Sequence, residues 1–139
     1  MENHQHLLLD TGFIVALYDR GDRYHTAATR WLASFQGKFI SVLPVLTEAA
    51  FFMDARGRAA LIDQVAKGWI TLQAPEAEGY RRVSAILRKY ADIDPDFADA
   101  CLVWLAETTG IHAILTVDVK DFSAYRIGGR GKFDLVAWY

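Results

Sequence analysis

The 139-residue chain has one cysteine, three prolines and no marked excess of either charge. With Cys101 alone there is no internal disulfide, so the fold has to rest on its core, and a reducing cytoplasm is the expected location. Fifteen basic residues against seventeen acidic ones leave a net charge of −2 with the histidines neutral. The general basicity of many nucleic-acid-binding domains is missing, although an acidic metal site masks a local basic rim in such a count. No apolar run approaches a membrane span. The start, Met1-Glu2-Asn3-His4-Gln5, has no basic region of the kind that opens a signal peptide. There is no internal repeat, no linker and no glycine-rich phosphate loop. His4, His6, His25 and His112 show no ligand spacing.

What is present reads as one domain over residues 1–139: 53% hydrophobic and 23% charged residues suit a globular chain long enough to bury an ordinary core. Leu7 to Leu9 reads as a buried strand ending at Asp10, and Gly12 permits the turn into a short helix from Phe13 to Tyr18. Asp22 is placed to cap a helix from Arg23 to Phe35, with Ala27, Trp31 and Phe35 at helical spacing. Lys38 to Val42 is the second strand, and Pro44 suits the first turn of a helix running to Asp54. Gly57 is read as a break before a helix to Lys67, Trp69 to Gln73 as a strand, and Glu76 to Ala91 as a helix. Asp94-Pro95 then provides a cap and a first-turn proline for a helix closed by Gly110. Strands at Ala113 to Val117 and Phe133 to Trp138 follow, separated by a flexible basic loop, Arg126 to Lys132. The alternation gives an α/β class with a mostly parallel sheet of about five strands flanked by helices.

Within this pattern four acids sit beside core-grade segments. Asp10 ends Leu7-Leu8-Leu9, Glu48 interrupts the run from Leu43 to Phe52, Asp99 opens Asp99-Ala100-Cys101-Leu102, and Asp118 follows Ile114-Leu115-Thr116-Val117. A buried carboxylate is costly unless it is paired or bound to a metal. Glu48 has only Pro44, Val45, Phe51 and Phe52 at the spacings that would offer it a partner on its own helix. Asp96 and Asp99 are roughly 60° apart around a helix and share a face; an acid in a first turn is also favoured by the helix dipole. Asp10 and Asp118 lie at strand carboxyl ends, where open α/β sheets bind ligands, but either also serves as a helix cap. Asp121 reads as structural, Cys101 as inert packing, and Arg126, Arg130 and Lys132 as solvated loop charge or weak phosphate contacts. Oxygen-only ligands point to a hard cation, Mg²⁺ or Mn²⁺.

Leu9-Asp10-Thr11, Thr47-Glu48, Asp96-x-x-Asp99-Ala100 and Thr116-x-Asp118-x-x-Asp121-Phe122, in this order from about Leu7 to Val136, resemble the PIN-domain family, and most closely its small VapC-type toxins. The resemblance implies a metal-dependent endoribonuclease. Asp10, Glu48, Asp99 and Asp118 would be its catalytic metal ligands, Asp96 an accessory acid, and Thr11 and Thr116 supporting residues. It also implies RNA as substrate, an antitoxin protein as partner and a homodimer, to which the aromatics Phe51, Phe52 and Trp31 would contribute if they are exposed. The competing reading within the family is a non-catalytic module that binds RNA or protein. Outside it, Asp10-Thr11-Gly12 is the tripeptide of aspartic proteases, but Phe13 and the helical pattern speak against that class.

Overall fold

A computed structural model of the chain describes residues 5–139. Strands β1 (His6–Leu9), β2 (Lys38–Ser41), β3 (Ile70–Leu72), β4 (Ala113–Leu115) and β5 (Asp134–Leu135) form one sheet in the order β3-β2-β1-β4-β5, and every pairing is parallel. Parallel strands are covered on both faces and therefore read as continuous apolar runs. That is why Leu7, Leu8 and Leu9 are all buried, as are Ala113, Ile114 and Leu115. Among the described residues seven helices connect and cover the strands: α1 (Thr11–Tyr18), α2 (His25–Ser34), α3 (Leu43–Ala50), α4 (Ala55–Ala66), α5 (Ala77–Lys89), α6 (Phe97–Thr109) and α7 (Val119–Ala124). This parallel α/β architecture overturns any all-β protease reading of Asp10-Thr11-Gly12. The strand order reverses between β1 and β4, the place where such sheets open a crevice at their carboxyl ends. His4, half of the His4-x-His6 pair, lies outside the described residues.

Several local features differ from the sequence reading: Asp22 does not cap α2, which starts at His25 after Tyr24 with no side-chain cap. Asp94 does not cap α6. It closes a short 3₁₀ turn, Ala91–Ile93, with φ 51°, and the proline after it disfavours the helical conformation. Asp96 takes over as cap, its carboxylate accepting the Asp99 N–H at 2.8 Å. Gly57 is no break: Asp54 accepts its N–H at 2.9 Å, which makes it the third residue of α4. The segment after Asp118 forms α7, too short to show a helical period. The basic loop is a tight hairpin, closed by reciprocal Ile127–Gly131 backbone bonds of 2.7 and 2.8 Å, with Gly128 and Gly129 at positive φ.

The central helix α6 also differs in degree from expectation. Its apolar stripe of Ala98, Cys101, Leu102 and Leu105 is buried as read, but so is every residue from Ala98 to Ala106. Asp99 is carried into the interior by this helix. Phe51 and Phe52 are exposed at 78% and 66%, whereas Trp31 is half-buried, stacks on Phe35 at 4.8 Å and packs against the core.

Candidate metal centre

The site is assembled from four chain ends. Asp10 leaves β1 in extended conformation and caps α1: one carboxylate oxygen accepts the Thr11 N–H at 2.8 Å and the other the Thr116 hydroxyl at 2.7 Å. Thr116, just past β4, accepts in turn the N–H of Asp118 at 2.9 Å, so a single hydroxyl ties the exits of two neighbouring strands. Asp118 caps α7 with a long bond from the Asp121 N–H, 3.4 Å. On α6, two residues beyond its start, Asp99 accepts a hydrogen bond from the buried Tyr125 hydroxyl at 2.8 Å. Glu48 finds no partner on α3, as its neighbours required, but accepts the Thr11 hydroxyl at 3.0 Å.

The sequence left capping and site membership as alternatives for Asp10 and Asp118; the structure has them cap and face the crevice together. Asp10 and Asp99 are 7% and 8% exposed, Glu48, Asp118 and Asp121 half-buried, and Asp96 exposed. One carboxylate oxygen from each of Asp99, Asp118 and Asp121 lies within 4.8 Å of the others. Asp121, expected to be purely structural, thus stands among the acids. Its i+3 position after Asp118 on a helix is the available signal, hidden because α7 shows no period in the sequence. Sequence reasoning misses Tyr125 outright. It lies 26 residues from Asp99, and no local pattern links them.

The electrostatics follow from like charges in a dry place. Burial, opposed by its two hydrogen bonds, pushes Asp10 from 3.8 up to about 6, with the charges of Asp96 and Asp118 adding to the rise. Asp99 is raised to about 8, by burial first and then by the charges of Asp10 and Asp96, while the Tyr125 hydrogen bond opposes. Glu48 is raised by burial and by Asp96, and Asp118 by burial and by Asp121. Asp96, exposed at the crevice mouth, is felt by all four. Among the described residues, no Lys or Arg forms a salt bridge to any of these acids; the ion pairs Arg81–Glu78 and Arg82–Glu107 lie elsewhere. Acids that converge without a cation, at oxygen-ligand spacing, are what a hard divalent ion requires.

The remaining candidates separate. Burial pushes the Cys101 thiol up to about 11, consistent with inert packing. Arg126 donates to the carbonyls of Ser123, Ala124 and Tyr125 at 2.8 to 3.3 Å, so its guanidinium is engaged at the end of α7. Arg130 and Lys132 stay on the hairpin, away from such contacts, with Lys132 exposed and Arg130 exposed beside it.

A family model described as "PIN domain" matches residues 7–127. Over 134 residues the chain is 27% identical to Ribonuclease VapC26 of Mycobacterium tuberculosis, an alignment covering 94% of this chain and 99% of that protein. Among solved structures it superposes on Mycobacterium tuberculosis VapC20, a Sarcin-Ricin loop cleaving toxin, with a TM-score of 0.70 and 21% identity over 78% of this chain and 86% of that one. It also superposes on FitAcB from Neisseria gonorrhoeae with a TM-score of 0.56 and 16% identity, over 92% and 96% of the two chains. At these identities the two structural likenesses concern the fold.

Proposed function

The chain belongs to the PIN-domain family, and from that premise we propose that it is a divalent-metal-dependent endoribonuclease of the VapC toxin type. One observation carries the reading: at the switch point of the sheet Asp99, Asp118 and Asp121 bring one carboxylate oxygen each within 4.8 Å of the others, the buried Asp10 lies close enough to interact with Asp99 and Asp118, and no Lys or Arg among the described residues pairs with them. The ribonuclease activity of VapC26 supports the chemistry, and the toxin role of VapC20 supports the biological setting.

Asp10, Asp99 and Asp118, with Glu48 across the crevice and Asp96 at its mouth, would hold Mg²⁺ or Mn²⁺, and the position of Asp121 adds it to this set. A divalent ion held there would supply positive charge to offset that of a phosphodiester and would make water a better nucleophile. The residues of the chain do the rest. Thr116 and the Thr11 N–H fix both oxygens of Asp10, Thr11 orients Glu48 through its hydroxyl, and Tyr125 occupies one oxygen of Asp99, leaving the other for the crevice. Arg130 and Lys132, exposed on the hairpin beyond α7, would be weak contacts for the RNA backbone.

The partner set follows the same type: RNA as substrate, an antitoxin protein, and a second copy of the chain, for which the exposed Phe51 and Phe52 are available. The expected compartment is the cytoplasm. Among the described residues no helix is long and apolar enough to cross a membrane.

The deciding experiment incubates purified protein with a labelled RNA pool and Mn²⁺, with Asp10→Asn and Glu48→Gln in parallel. Cleavage by the wild type that both substitutions abolish is expected. RNA that is bound but left intact by the wild type would convert the reading to a non-catalytic module. Growth arrest on induction, relieved by the product of an adjacent gene, tests the toxin role.

A further inference from the structure

A second cavity adjoins the acids. It has a volume of about 410 Å³, lies between α3, the β3–α5 connection and the start of α6, and includes Glu48 in its wall. That size falls within the range of small-ligand sites, about 300–1,000 Å³. Its floor is Ala98 and Cys101 of the buried helix α6, and its rim carries Leu43, Tyr80 and Phe97, which are 60%, 50% and 48% exposed. Phe97 opens α6 next to Asp96 and two residues before Asp99, and Glu48 in the wall accepts the hydroxyl of Thr11, the residue after Asp10, so the cavity borders the acids.

Three features specify an occupant. Tyr80 and Phe97 make no ring contact with another described residue, so their faces are available. Among the described residues no Lys, Arg or His lines the cavity, and its one charged residue is Glu48; an anion such as a second phosphate is therefore disfavoured. The side-chain amide of Gln73, also in the wall, has no hydrogen-bond partner among the described residues and offers both a donor and an acceptor. A flat, neutral, aromatic group with hydrogen-bonding edges matches all three. Single-stranded RNA presents such groups next to its phosphates, and proteins read them by stacking on aromatic side chains.

We propose that this cavity is a nucleobase subsite: an unpaired base of the RNA stacks on Tyr80 and Phe97 and meets Gln73 while the neighbouring phosphate lies at the acids. The subsite rests on the ribonuclease reading for its RNA, but its binding is separable from cleavage. It makes the enzyme selective for single-stranded segments, since a paired base does not reach a cavity in the wall of the crevice.

The test uses short single-stranded oligoribonucleotides carrying 2-aminopurine at successive positions, with the full chain and Ca²⁺ in place of Mg²⁺ or Mn²⁺. Fluorescence reports stacking of the probe base. Expected is quenching at one position only. Tyr80→Ala and Phe97→Ala should each lose the quench and weaken binding about 5- to 150-fold, the range for one stacked base, and Phe97→Trp should retain both. Circular dichroism and sedimentation of the variants exclude misfolding and altered self-association as causes. Failure of the strand to bind, binding without a position-specific quench, or a quench that survives both alanine variants overturns the subsite; a variant that changes oligomeric state while RNA binding stays intact assigns the surface to a second copy instead. Quenching in a protein that cleaves no RNA with Mn²⁺ leaves the subsite standing and removes the nuclease reading.

Discussion

Asp10 and Phe13 are three residues apart, and they belong to two regions that obey opposite rules. Phe13 is fully buried in an aromatic block, with Trp138 at 4.9 Å and Trp31 at 5.6 Å, both edge-on, and Phe39 at 6.2 Å. Nothing in that block is charged. Asp10 stands at the carboxyl edge of the sheet, and with it stand Ser41, Asp99 and Thr116, the buried polar side chains of the described residues. Each has a partner: Ser41 donates to the Leu9 carbonyl at 2.7 Å, Thr116 to Asp10, and Tyr125 to Asp99. The aromatic block supplies stability through buried apolar area. The carboxyl edge lowers it by holding like charges together in a poorly solvated place. Polar burial confined to one edge marks that edge as the part of the molecule shaped by its chemistry rather than by folding.

The contrast breaks most visibly by substitution on either side. Phe13→Ala should cost about 3–5 kcal/mol, the range for emptying a large aromatic site in a core, read as a lower urea midpoint with the metal affinity of the folded fraction unchanged. Asp99→Asn should do the reverse. Cleavage of RNA should fall on the order of 10³-fold, as for removal of a residue that acts at the reacting atoms, while above pH 8, where Asp99 is ionised, the metal-free protein unfolds at an equal or higher temperature because a repelling charge is gone. An Asp99→Asn protein that loses several kcal/mol without metal would show that the carboxylate holds the fold together, and the two regions would no longer be opposites.

Acidity and metal sharpen the same contrast by a smaller amount. Asp10 and Asp99 bind protons more tightly folded than unfolded, since both are raised above 3.8, to about 6 and about 8. The stability they contribute is fully present below about pH 4 and is lost as pH rises through those values. In EDTA, these groups should therefore make the protein melt at a lower temperature at pH 8 than at pH 5. The offset should shrink in Asp10→Asn/Asp99→Asn, leaving the part due to Glu48 and Asp118, and Mn²⁺ should restore the loss at pH 8, since an ion favours the ionised carboxylates. Mn²⁺ affinity should weaken as pH falls towards 6. Affinity that stays flat from pH 8 to pH 5.5 would place the ion away from these two acids.

How much of this was legible follows the same division. The apolar runs of β1, β2 and β4 and the helical spacing of Ala27, Trp31 and Phe35 are read from period and burial alone, because a core announces itself locally. The PIN-type order of Asp10, Glu48, Asp99 and Asp118 was also readable, because each ends, interrupts, opens or follows such a run. Two kinds of feature were not. Asp94 was read as the cap of α6 and Asp96 as an acid of its first turn; the proline between them disfavours the helical conformation at Asp94, and the cap falls to Asp96. Asp121 and Tyr125 sit on or just after α7, a six-residue helix without a readable period, and their place among the acids depends on how that helix meets α6.

Tyr125 offers the smallest and most selective test. Its ring is held edge-on by Tyr90 and Phe122 at 5.2 Å each, contacts that a phenylalanine keeps. Its hydroxyl reaches the site through the 2.8 Å bond to Asp99. That bond restrains the rotation of the carboxylate and leaves its other oxygen without a hydrogen-bond donor among the described residues. Partners of ligands typically tune metal affinity about 10- to 100-fold, so Tyr125→Phe should weaken Mn²⁺ binding by calorimetry towards the lower end of that range. Thermal unfolding in EDTA should barely move, because the packing survives. A loss of stability without a loss of affinity would make Tyr125 part of the aromatic core. A loss of affinity alone places it with the carboxyl edge, as the side chain through which the core grips the site.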